Sequence, residues 1–321
     1  MKTWNCKYLW IGFALLIGVT GFFVIIGIQP KSSLLDPEIK LVRKFAVVND
    51  PVLAEMLERS VVFIPAGNFI RGNDAGNYNE GPLQTVYLDA FEIDRFEVTN
   101  IQYSRFLLAT DNKPPPYWTG GAYPSGQADN PVVGISWEDA NEYCTWVGKR
   151  MPTEAEWEKA CRGPDGNLYP WGNRWNRQLA NVDHWTSPLT QPERDGSPTA
   201  WANAWNLLQA TPGVDQLGLR PIGSYPAGAS YYGVMDMVGN VSEWVYDWYN
   251  WGDYSQLPAR NPVNLEPEWN HVIRGSAWHD PAADLDQVAV SSLCSTRSSA
   301  HSISEPRTGF RCARSVNVEG N

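Results

Sequence analysis

The sequence predicts a loop-rich domain of short strands and a few helices, carried behind a single N-terminal transmembrane helix. Three observations predict it. The run YLWIGFALLIGVTGFFVIIGI, Tyr8 to Ile28, carries no charge, and at about 1.5 Å per residue it spans about 30 Å of hydrocarbon. Beyond it, 27 Gly and 24 Pro break the chain often, beside 16 Trp and 14 Tyr whose ring N–H and O–H groups can pin irregular backbone. Between those breaks, short alternating runs and isolated helix starts replace long helix-period stretches.

Length and charge bound the function. The 321 residues, 43% of them hydrophobic, suffice for one large domain or two small ones and exclude a disordered or fibrous chain. A net charge of -10 and a pI near 4.9 exclude a general nucleic-acid binder, because no basic stripe is present to displace phosphate counterions. Acidity suits solubility or a cation site.

Residues 1–7 form a short tail before the anchor at 8–28. The apolar run passes straight into Gln29-Pro30-Lys31 without a small-residue cleavage site, which favours an uncleaved anchor over a signal peptide. Cys6 precedes the run, unlike a lipoprotein cysteine. Lys2 and Lys7 on one side face Lys31, Lys40, Arg43 and Lys44 on the other, so flanking charge leaves the orientation open. Residues 29–60 read as a stalk, with N-caps followed by proline at Asp36-Pro37 and Asp50-Pro51.

The globular part, 61–316, opens with VVFIPAGNFIRG, two strands joined by a tight turn at Pro65 to Gly67. Gln84 to Thr99 then alternates as a strand. Thr99 with Gln102 makes a capping box ahead of Tyr103, Phe106 and Leu107. Ser136 and Thr153 start two further helices, the second with its own box to Glu156; Cys144 falls on the former and Cys161 at the end of the latter. Residues 163–230 are dominated by Gly, Pro, Asn and Trp, and Asp183 to Val214 reads as an irregular surface excursion. The motifs DMVGNVSEWVYDWY, VIRGSAWHD and GFRCAR follow, and 317–321 is a tail.

Cysteine usage locates the domain. Cys144, Cys161, Cys294 and Cys312 allow two disulfides in any of three connectivities, as in an oxidising, extracytoplasmic compartment; four inert buried thiols is the other reading. No C-x-x-C and no Cys/His spacing typical of zinc is present.

Read in order, FIPAGNFIRG, DRFEVTNIQYSRFL, NPVVGISWEDANEYCTWVGKRMPTEAEWEKACRG, YPWGN, GVMDMVGNVSEWVYDW, VIRGSAW and GFRCAR resemble the formylglycine-generating-enzyme (sulfatase-modifying factor) family from about residue 61 to 315. The resemblance implies an irregular α+β fold with little regular secondary structure, distantly similar to C-type-lectin-like modules. It also implies pairing of Cys144 with Cys312 and of Cys161 with Cys294. Each bond would close a loop of more than a hundred residues, worth on the order of 4 kcal/mol by loop entropy.

The family's oxidases turn a substrate cysteine into formylglycine with two further cysteines that hold copper(I). Here Asp280 and Leu285 occupy those positions, and no cysteine lies between Cys161 and Cys294. A carboxylate and an alkyl group cannot replace two thiolates toward a soft ion, so neither copper nor formylglycine-generating activity is expected. Two departures reach the candidate groove of Ser242, Arg274, Trp278, His279 and Asp280. Arg274 to Trp278 reads RGSAW where the family prefers two glycines and a serine, and Ser242 replaces a substrate-facing tryptophan.

The resemblance further implies two calcium sites of hard oxygen ligands. One uses the side chains of Asp236 and Glu243 with the carbonyls of Gly239 and Val241; the other uses Asn181 and Asp215 with the carbonyls of Val182 and Leu217. Solvated loop acids and caps are the alternative. Asn240-Val241-Ser242 is formally a glycosylation sequon but falls inside the first loop.

Three functions fit: a binding module for a protein, peptide or glycan at the cell surface; a different metal-dependent enzyme using His271, His279, Asp280 and His301; and a structural subunit of a cell-envelope complex.

Overall fold

The computed structural model describes residues 60–182, 218–252, 254–278, 285–301 and 307–316. The anchor, the stalk up to residue 59, the excursion from Asp183 to Val214, and His279 and Asp280 lie outside them. Among the described residues no helix is long and apolar enough to cross a membrane.

The opening strands are β1 (Val61–Ile64) and β2 (Gly67–Arg71), and they do not pair with each other. The alternating stretch after Gln84 divides into β3 (Gln84–Leu88) and β4 (Phe91–Asp94), so each half takes its own antiparallel partner: β2 beside β3, β1 beside β4. Two breaks, at Pro65-Ala66 and Asp89-Ala90, thus distribute four strands over two sheets. Three helices follow, α1 (Asn100–Ala109), α2 (Trp137–Trp146) and α3 (Glu154–Arg162). Thr99, Ser136 and Thr153 cap them, and the reciprocal box closes at Thr99/Gln102 and Thr153/Glu156, as their spacing requires.

The C-terminal part supplies β5 (Ser242–Trp248), β6 (Asn270–Arg274), α4 (Leu285–Ser291), β7 (Arg297–His301), β8 (Thr308–Phe310) and β9 (Ala313–Ser315). A four-stranded sheet runs β7-β6-β5-β8, with β8 parallel to β5, and β9 completes the β1-β4 sheet. The last strand of the domain therefore joins the sheet begun by its first. Two disulfides add links: Cys144–Cys312 ties α2 to the approach to β9, and Cys161–Cys294 ties α3 to the segment after α4, with Cα separations of 5.5 and 5.8 Å. The pairing implied by the sequence resemblance is the one present.

All nine residues of α3 are buried, five of them charged. Such a helix requires ionic partners from other elements. Glu154 meets Arg71 at 3.1 Å and Arg297 at 2.6 Å, while Glu158 meets Arg274 and Arg162, each at 2.8 Å. Burial would raise the Glu154 carboxyl, but Arg297, Arg274 and Arg71 outweigh it and hold it at about 2. Apolar residues form two buried clusters, with Tyr103, Tyr143, Trp244 and Phe310 in one and Ile64, Phe91, Val272 and Trp157 of α3 in the other.

Candidate functional site

The DMVGN turn is built to enter β5 from below. Asp236 and Asn240 both adopt left-handed backbone, at φ 58° and 62°, a conformation that Asp and Asn tolerate better than most residues. Gly239, at φ 79°, passes so close to Asn181 that a Cβ would stand 2.5 Å from its carbonyl oxygen. Glu243 is thereby placed inside the molecule. Its carboxylate accepts two bonds of 2.7 Å from Arg311 and one of 3.0 Å from the Trp157 indole.

Asn240 is fully engaged beside it. Its Oδ1 accepts from the Asn181 amide and the Arg220 backbone N–H, both at 3.0 Å, and its Nδ2 donates to Glu97 Oε1 and the Arg220 carbonyl, both at 3.3 Å. Asp236 accepts from the Gly223 N–H at 2.7 Å. Burial, then the neighbouring Asp236, pushes the Glu97 carboxyl well above its ordinary range; burial likewise raises Asp236. Among the described residues no N–H or O–H reaches Oε2 of Glu97. A proton shared with Asp236, or a cation, would satisfy it.

Of the first calcium set, Asp236, Gly239, Val241 and Glu243 therefore lie on one turn, but Arg311 already neutralises Glu243. Glu97 joins this acidic group, and sequence reasoning gave it no role: it lies 139 positions before Asp236, and nothing in DRFEVT sets it apart from the neighbouring Asp94. Among the described residues no three His, Cys, Asp or Glu side chains are disposed to hold a metal unaided. Of the second set, the Asn181 carbonyl accepts from Asn240 and its amide donates to Gly218, while Asp215 and Leu217 lie outside the described residues.

Three members of the candidate groove, Arg274, Trp278 and Ser242, are buried and do not line an open surface. Arg274 is fully buried and donates to Glu158 and to the carbonyls of Cys294, Ser295 and Thr296, so it is a core cation tying α3 to the segment after α4. Trp278 is buried in the cluster with Trp244 and Phe310, and its N–H donates to the Asn240 carbonyl. Ser242 is also buried, at the start of β5, where its N–H donates to the Arg307 carbonyl. His279 and Asp280 lie outside the described residues; Leu285 opens α4.

His271 is also a core residue. Its ring lies 4.0 Å from Trp137 and 3.7 Å from Trp248, with an indole on each side, and burial lowers its pKa to about 4. His301 is exposed on β7. The two imidazoles are on adjacent strands but in different surroundings.

Residues 49–316 match the family model of the sulfatase-modifying factor enzyme 1-like domain. The chain belongs to that family. It is 32% identical over 311 residues to a formylglycine-generating enzyme of Thermomonospora curvata, covering 80% of this chain and 94% of the relative. It is 29% identical over 310 residues to the inactive C-alpha-formylglycine-generating enzyme 2 of Mus musculus, covering 82% and 88%. It is also 31% identical over 304 residues to the serine/threonine-protein kinase pkn1 of Chlamydia caviae; there the match takes in 88% of this chain but only 42% of the relative. Among solved structures, PvdO from Pseudomonas aeruginosa aligns with a TM-score of 0.59 at 26% identity, over 80% of this chain and 94% of that one.

All four cysteines of the domain are engaged in the two disulfides, so none of them is a free thiolate.

Proposed function

We propose that this family member is a membrane-anchored, extracytoplasmic binding module for a protein, peptide or glycan, and that it does not generate formylglycine. One observation carries the reading: each cysteine beyond the anchor is spent on a structural bond, and Asp280 and Leu285 stand where the resemblance expects the metal-binding pair. The mouse relative named as inactive supports it, because a fold of this family there bears a name without the activity. The uncharged run Tyr8 to Ile28 supports the anchoring, and the two disulfides support an oxidising compartment.

The test is direct. Purified protein supplied with copper, oxygen and a Cys-x-Pro-x-Arg peptide should yield no aldehyde. An aldehyde product would overturn the reading.

Calcium belongs to the same proposal as a structural ion. Asp236, Glu97 and the carbonyls of Gly239 and Val241 would hold it, Glu243 being taken up by Arg311 and Trp157, and the Oε2 of Glu97, without a hydrogen-bond partner among the described residues, fits a hard cation. Bound there, it would fix the turn ahead of β5. Melting with and without a chelator reads this independently of any activity: an unchanged midpoint removes calcium from the account.

A further inference from the structure

Apolar surface left in water has a cost, and two exposed indoles lie where the β5/β6 pairing runs out. The last backbone bond there runs from the Tyr249 N–H to the Asn270 carbonyl, at 2.8 Å. Immediately beyond it, Trp251 is 61% exposed on one strand's exit and Trp269 is 81% exposed on the other's entry. Tyr249 meets Trp251 edge to face at 5.1 Å, which orients that indole, while Trp269 stands 6.4 Å from the His301 ring. Leu265 adds a third apolar side chain at 58% exposure. No core requirement accounts for two indoles in solvent at one end of a hairpin.

Charge separates the possible occupants. From Leu265 to Trp269 the sequence alternates apolar residues with acids, LEPEW, and all five residues are exposed. Between Asn250 and Asn270 the acids are Asp253, Glu266 and Glu268, against one base, Arg260. That base is already held by Asp89 and lies over the Tyr87 ring. Indole faces carry a negative quadrupole and attract cations, and adjacent carboxylates add to that field. A neutral sugar would stack on the indoles and donate its hydroxyls to the acids, but it carries no charge to answer theirs. An anionic partner would be repelled.

We infer that the Trp251/Trp269 surface, with Glu266 and Glu268, is a docking site for a cationic, arginine- or lysine-rich protein segment. Guanidinium or ammonium groups stack on the indoles and pair with the two glutamates. The site is separate from the DMVGN turn and does not depend on calcium there.

A labelled octa-arginine peptide tests this by fluorescence anisotropy with the full-length chain, against octa-glutamate, a neutral Gly-Ser octapeptide and a neutral oligosaccharide. Octa-arginine should bind at least tenfold tighter than every other probe, and weaken at least tenfold from 50 to 500 mM salt. Glu266→Gln with Glu268→Gln, or Trp251→Ala with Trp269→Ala, should each weaken binding at least tenfold without moving the melting temperature. Glu138→Gln with Glu142→Gln, an equal charge change on α2, should leave it unchanged. Equal loss in that control, undiminished binding in the first two variants, or tighter binding of the oligosaccharide or neutral peptide overturns the assignment.

Discussion

Arg311 clamps the Glu243 carboxylate from both sides, Nε to Oε2 and Nη2 to Oε1 at 2.7 Å each, where neither side chain is more than 1% exposed. The same guanidinium donates to the carbonyls of Asp94, Arg95 and Met235, so one cation holds the end of β4, the DMVGN turn and the start of β5 together. A buried charge losing its partner costs far more than the pair contributes. Arg311→Met should therefore destabilise the protein by about 3–5 kcal/mol in urea unfolding, and adding Glu243→Leu should recover part of that loss. A cost below about 1 kcal/mol for Arg311→Met would show the clamp to be dispensable.

The sulfur count is checked chemically. Alkylation of the denatured, unreduced full-length chain should label Cys6 alone, and prior reduction should expose four more thiols. Replacing Cys161 and Cys294 together by alanine opens a link across 133 positions and should lower stability by about 3–5 kcal/mol. Labelling of Cys161 or Cys294 without reduction would contradict both the pairing and the argument against copper.

Asn240 tests whether a sequon can act once folded. Its amide is buried 98% from solvent and engaged on both atoms, so no glycan fits. Mass spectrometry of protein secreted from a glycosylating host should find Asn240 bare. Asn240→Ala should cost about 2 kcal/mol or more, since it strands the Asn181 and Arg220 donors and puts alanine at a positive φ. Stoichiometric glycan at this position would refute the placement.

His271 gives a pH dependence of stated sign. Its folded pKa, about 4, lies below the ordinary 6.5 because burial disfavours the charged ring. Between those values the unfolded chain binds the proton that the folded chain refuses, so this group removes stability as pH falls from about 6.5 toward 4. His271→Phe keeps a ring between Trp137 and Trp248 and should melt with a shallower loss from pH 7 to 4.5 than the parent. Parallel pH profiles would exclude the histidine as the cause.

Much of this was legible because the signals were local. The caps at Thr99, Ser136 and Thr153 were readable since a cap and its partner lie three residues apart. The strands after Gln84 were harder: alternation marked extended backbone, but whether β1 pairs with β2 or β4 depends on a turn and on which faces meet, and both are settled by contacts distant in sequence. Arg274 and Trp278 were misplaced for a related reason. An arginine and a tryptophan next to a family motif suggest a groove, yet Glu158, 116 positions away, draws the first inward and Trp244 with Phe310 cover the second.

By itself the sequence determined the family, the cap positions and the number of cysteines beyond the anchor, because residue identity and short spacing suffice for each. Only the tertiary structure decided which charges are buried together. Glu97 meets Asp236, Glu243 meets Arg311, and Arg71, Glu154, Arg274 and Arg297 form one ionic core because folding removes their water and leaves distant partners as the only source of compensation.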